Sequence, residues 1–122
     1  MHGYQDETRE YRESDWKLFR KRIIGWQENY MNKLNKEYTM ILLQEKNPSE
    51  NFWELEKRIN RDKRKTGVMA DMRRSKLVEN ILDLLHEGAI MLEDLDDFSD
   101  ELKDTVQLYV QHYPEIRNIQ NH

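Results

Sequence analysis

Eight apolar residues, Trp16, Phe19, Ile23, Trp26, Tyr30, Leu34, Tyr38 and Ile41, recur at steps of three or four within residues 15–44. At about 100° per residue they fall in one stripe roughly 120° wide, the mark of an amphipathic helix with a single buried face. The rest of the chain must pack around this element. Thirty helical residues at about 1.5 Å each reach about 45 Å, whereas a compact domain of this length is roughly 35 Å across. Such a helix overhangs its own domain unless it breaks. Gly25, the one helix-weakening residue inside it, marks the expected break. The alternative is a continuous rod whose projecting end lies against a second copy or another protein.

The chain has 122 residues, enough for one domain. Charged residues make up 36% of it and apolar ones 37%, so the core must be thin and built from large side chains. Three Trp, six Tyr, three Phe and six Met supply that bulk, which argues for a folded rather than a disordered chain. A thin core makes self-association a natural way to bury more surface. There is no cysteine, which removes disulfides, thiolate catalysis and thiolate metal sites together. No stretch of about 20 apolar residues spans a bilayer, and the polar N-terminus does not form a signal peptide. The expected location is cytoplasmic, without membrane association.

Along the chain, residues 1–14 are polar, lack a period and are expected to form a flexible arm, with Ser14 or Asp15 capping the long helix. Asn47, Pro48 and Glu50 supply the N-cap, the first helical residue and the return arm of a capping box for a second helix. That helix carries a narrow apolar edge of Phe52, Leu55 and Ile59 and is expected to end at Gly67 in a left-handed cap. A third helix is predicted over 68–86, with Leu77, Val78, Ile81, Leu82, Leu84 and Leu85 as its core face; Met69 and Met72 lie off that face, and Ser75 is a candidate second N-cap. Gly88 is a strong stop, followed by a short apolar crossing and one or two turns of helix. Ser99 caps a last helix that buries Leu102, Val106, Tyr109, Val110 and Tyr113 and closes at Pro114, leaving 114–122 as a frayed tail. Without any stretch of period two, a sheet is not expected. The fold class is therefore all-α: a small helical bundle of four to six helices around one long amphipathic helix, a single domain over 15–113.

Two surfaces are candidates for function. Nine Lys or Arg fall between Lys57 and Lys76, against Asp62 and Asp71. Lys57, Arg58, Arg61, Lys63, Arg64 and Lys65 are the candidate phosphate-backbone contacts of a nucleic-acid binder, since each neutralised phosphate releases a counterion. The same cations can instead be solvated, or can face the acidic segment 93–104, where seven Asp or Glu stand against Lys103 alone. The second surface is aromatic. Trp16, Phe19, Trp26, Tyr30 and Trp53 read first as core and, failing that, as a partner or dimer interface, because large rigid aromatics dominate interface energies. Phe52 and Trp53 point about 100° apart, so one of them, Trp53, is expected at a boundary.

Other chemistries fail on spacing. From Asp94 a calcium-loop pattern breaks at Phe98, Ser99 and Thr105. His2, His86 and His112 form no local ligand pair, and no nucleophile–base arrangement or phosphate loop is visible. No cofactor, metal or catalytic residue is expected, and the chain reads as a non-enzyme.

The strings DWKLFR, WQENYM, FWELEKRI and EDLDDFSDELK resemble a family of small uncharacterised bacterial cytosolic helical proteins with no known activity. The resemblance runs from Asp15 to about Val110 and implies a bacterial cytosolic protein without established catalytic residues. The expected function is a non-enzymatic protein-interaction or regulatory module that self-associates; the alternative is a nucleic-acid backbone binder through residues 57–76.

Overall fold

The computed structural model describes the backbone of residues 2–112 and side chains from residue 13 onward. Among the described residues the chain is all-helical: α1 (His2–Leu42), α2 (Pro48–Asp62), α3 (Leu77–His86) and α4 (Asp100–His112), with single 3-10 turns at Arg74–Lys76 and Leu92–Leu95. Four α-helices, three of them packed around the long one, match the all-α bundle the periodicity predicts.

The stripe on α1 is the spine. Trp16, Phe19, Ile23, Tyr30, Leu34 and Ile41 are buried, and Trp26 and Tyr38 are half-buried. The helix runs through Gly25 without interruption, so the expected break is corrected. A glycine inside a helix costs only about 1 kcal/mol, and the stripe is packed on both sides of it. Upstream, α1 continues through residues 2–14, where an arm was expected. Extending an existing helix is far easier than nucleating one, and this stretch holds Gln5, Glu7, Arg9 and Glu10, all good helix formers. At 41 residues α1 is about 60 Å long. Asp15 is therefore not its cap.

The main core sits on the N-terminal half of the spine. Trp16, Phe19 and Ile23 meet Leu77, Ile81, Leu84 and Leu85 of α3, then Ile90, Leu95 and Phe98 from the connection, and Leu102, Val106 and Val110 of α4. The aromatic rings form a chain: Trp16 to Phe19 at 6.0 Å, Phe19 to Trp26 at 6.1 Å, Trp26 to Phe98 at 6.3 Å. α4 begins as predicted, with the Leu102 N–H donating to Ser99 Oγ at 3.1 Å. Tyr109 is 44% exposed, outside the buried edge assigned to it. Tyr113, Pro114 and the tail 114–122 lie outside the described residues.

α2 pairs with the C-terminal half of α1 as an antiparallel hairpin. Its start is the expected one: Pro48 is the first residue, and the Asn47 N–H donates to Glu50 Oε2 at 3.2 Å. Its end is not. α2 stops at Asp62, and Gly67 is not left-handed. Gly67 is needed because the Tyr30 ring lies against its Cα, where a Cβ would overlap the ring. The helix predicted from residue 68 starts only at Leu77, and Lys76 rather than Ser75 precedes it. Side chains bind the intervening backbone instead. Glu87 accepts from the N–H groups of Thr66 and Gly67, both at 2.9 Å, the Gln27 amide donates to the Thr66 carbonyl at 3.0 Å, and buried Asn80 donates to the Asp71 carbonyl at 2.8 Å. Burial pushes the Glu87 carboxyl up, and those two amides only partly offset it.

Gly88 is the stop the sequence shows. Its φ is 75°, and the Ala89 N–H reaches the Leu84 carbonyl at 2.9 Å while the Gly88 N–H reaches Leu85 at 3.1 Å. That pair of bonds is a Schellman cap, which satisfies carbonyls the helix end leaves open.

Candidate interaction surface

The face α2 turns toward α1 is mostly polar; of the apolar edge expected there, Leu55 is half-buried but Phe52 and Ile59 are exposed. Its buried residues are Asn51 and Asp62, with Arg58 and Leu55 half-buried. Asn51 donates to the Gln44 carbonyl at 3.0 Å, tying the helix start to the end of α1. Farther along, Arg58 donates to Glu37 Oε1 at 2.5 Å and lies over the Tyr38 ring, 5.7 Å from its centroid. Asp62 is fully buried at the centre of this seam. It accepts from the Tyr38 hydroxyl at 2.7 Å and from Arg61 Nε at 3.0 Å, with Arg58 and Lys65 cations each at 3.5 Å. Burial alone would push this carboxyl up. The bonds from Tyr38 and Arg61 and the surrounding cations outweigh it and hold the carboxyl below the usual range. The cost of burying a carboxylate is met by that many partners.

Half of the basic cluster is thus paired with a carboxylate of the fold. Arg58, Arg61 and Lys65 converge on Asp62, while Lys57, Lys63 and Arg64 are exposed and form no ion pair among the described residues. Nor does any ion pair among the described residues join the basic segment to the acidic segment 93–104; Asp97 pairs with Arg22 of α1 at 2.7 Å instead.

The apolar side of α2 points outward. Phe52 is 60% exposed and Trp53 62%, and their rings meet edge to face at 4.9 Å. Ile59 on the same helix is 41% exposed, and Met40 and Leu42 in the last turn of α1 and Leu43 just after it are all more than half exposed. Between the two helices lies an open cavity of about 290 Å³. Met31, Leu34, Ile59 and Val68 give it an apolar lining, and Asn35, Tyr38 and Lys63 give it polar edges.

Of the five aromatics named as a candidate interface, only Trp53 is presented to solvent. Trp16, Phe19 and Tyr30 are buried in the chain's own fold, and Trp26 packs half-buried on Phe98. A side chain already enclosed has no surface left to offer a partner, so Trp16, Phe19 and Tyr30 follow the core reading rather than the interface one, and Trp26 packs against the same core. The residues missed by the sequence reading are Phe52, Ile59, Met40, Leu42 and Leu43. One signal was available: in the run Met40–Leu43 only Ile41 belongs to the stripe, so its neighbours must face elsewhere.

His86 and His112 lie exposed at the ends of α3 and α4. Among the described residues no group of His, Asp or Glu has the arrangement to hold a metal ion, and no helix is long and apolar enough to cross a membrane. Compared with protein-family models, characterised proteins and solved structures, the chain matches none of them.

Proposed function

We propose that this protein is a non-enzymatic interaction module, bacterial and cytosolic as the sequence resemblance implies, which associates with itself through the outer face of the α1–α2 hairpin. One observation carries the reading: α2 buries Asn51 and Asp62 and leaves Phe52, Trp53 and Ile59 in solvent. A surface helix ordinarily does the opposite. Inverted amphipathy that is held in place by a many-partnered buried carboxylate costs stability in the monomer and is regained when the outer face is covered.

The test is the mass in solution by size-exclusion chromatography with light scattering over a range of concentrations, salt and nuclease treatment. The expected result is a dimer indifferent to nuclease, converted to monomer by Phe52→Asp with Trp53→Asp. Both residues are exposed, so the variant keeps the monomer fold. A monomer at all concentrations overturns the reading.

A second reading has one observation behind it. Trp53 and Lys57 lie one turn apart on α2, with Arg64 following the helix end, and all three are exposed. An aromatic beside free cations is a stacking platform for single-stranded nucleic acid. Nuclease-sensitive absorbance at low salt that Trp53→Ala abolishes would establish it in place of the first.

A further inference from the structure

We infer that the occupant of the α1–α2 groove is α2 of a second copy, packed antiparallel across a two-fold axis beside Ile59. The inference rests on the self-association proposed above and specifies its geometry. Phe52, Glu56, Ile59 and Lys63 follow one another at steps of four, three and four, so they share one edge of α2. All four are exposed, and Ile59 and Lys63 line the cavity. The order along this edge is aromatic, anion, aliphatic, cation.

Such an order is complementary to its own reversal. An antiparallel pair centred between Ile59 and Asn60 sets Glu56 against the partner's Lys63 and Lys63 against the partner's Glu56, with the two copies of Ile59 side by side at the axis. An isologous interface requires this reciprocity, and the parallel arrangement would oppose like charges, which is destabilising. The same register carries Phe52 about 11 Å past the axis at ~1.5 Å per residue, to the end of the cavity lined by Met31 and Val68. The hole is large enough: an apolar cavity of about 150 Å³ already admits benzene, and this one measures about 290 Å³. An exposed ring on each copy therefore faces an empty apolar cavity on the other, as hot-spot residues do.

The absence of cysteine makes the register directly testable. Ile59→Cys in the full chain should give a covalent dimer on mild oxidation, since residues at the axis approach within disulfide reach. Ile24→Cys, a more exposed site on the N-terminal half of α1, should not. Glu56→Lys alone should weaken the dimer, and Glu56→Lys with Lys63→Glu should restore it; Phe52→Ala should raise the dissociation constant roughly tenfold or more. A dimer that Ile59→Cys does not cross-link, or whose charge reversal is not rescued by the double exchange, overturns this geometry and leaves the proposed self-association intact. A wild-type monomer overturns both.

Discussion

Asp15 of α1 holds the start of α4: its carboxylate accepts from the Ser99 backbone N–H at 2.9 Å and from the Ser99 hydroxyl at 2.7 Å, across 84 residues of chain. The hydroxyl in turn accepts from the Leu102 N–H, so a tertiary contact from the spine fixes the rotamer of a helix cap. Asp15 is buried, and Asp15→Ala leaves a donor pair without its charged acceptor. The expected loss is about 2 kcal/mol by urea denaturation. Ser99→Ala loses the cap, about 1 kcal/mol, and also strands the Asp15 carboxylate. The double variant should therefore be less destabilised than the two single losses added together. Strict additivity would mean that the contact contributes nothing.

The seam around Asp62 gives a pH dependence of definite sign. Its folded carboxyl lies below the usual range, so its contribution is present above the ordinary carboxylate value and is lost as pH falls through the folded one. Asp62→Asn removes that contribution at neutral pH, at a cost of about 2 kcal/mol. The stability gap between wild type and Asp62→Asn should narrow steadily on acidification below about pH 4. Glu87 titrates with the opposite sign and is present in both proteins, so the difference isolates Asp62. A gap that stays constant into strong acid would contradict this account.

What the sequence made legible followed from local rules. The stripe from Trp16 to Ile41 needs only period, the Asn47 and Glu50 box needs only spacing, and Ser99 and Gly88 act within a few residues of themselves. The errors share one cause, which is a partner remote in sequence. Residues 68–73 carry helix-compatible spacing, but the Asn80 amide and the Glu87 carboxylate bind the backbone at Asp71 and at Thr66–Gly67 and hold it extended or turned. The facing of α2 has the same origin. Nothing near Asp62 in the chain announces Tyr38, 24 residues upstream, yet that bond and the Arg58–Glu37 pair decide which side of α2 goes inward. The angular argument still placed Trp53 correctly at the surface; Phe52 followed it there because Asn51 and Asp62 occupy the inner face.

The two mid-chain glycines should answer oppositely to the same change. Gly25 lies exposed within α1, and an added Cβ meets nothing within 4 Å. Gly25→Ala should stabilise by about 0.5–1 kcal/mol through the entropy of the unfolded chain. At Gly67 an added Cβ runs into the Tyr30 ring. Gly67→Ala must displace a buried aromatic and should cost about 1–3 kcal/mol. Thermal or urea unfolding of the two variants decides it, and equal shifts would show that the Tyr30–Gly67 approach is looser than the structure has it.

Tyr30 and Tyr38 should titrate late. Burial pushes both hydroxyls up to about 12; at Tyr30 the carboxylates of Glu87 and Asp62 add to it, and at Tyr38 the hydrogen bond donated to Asp62 does. A folded value raised above the unfolded one near 10 gives stability that is complete below pH ~10 and is lost as pH rises toward ~12. Phenolate absorbance should therefore show two groups that ionise only as pH approaches ~12. Tyr38→Phe should remove one of them and soften the alkaline loss of stability, while costing about 1 kcal/mol at neutral pH for the bond to Asp62. If Tyr30 and Tyr38 ionise near pH ~10 while the helices persist, the hairpin seam is open to water and Asp62 is not the buried centre that turns the apolar side of α2 outward.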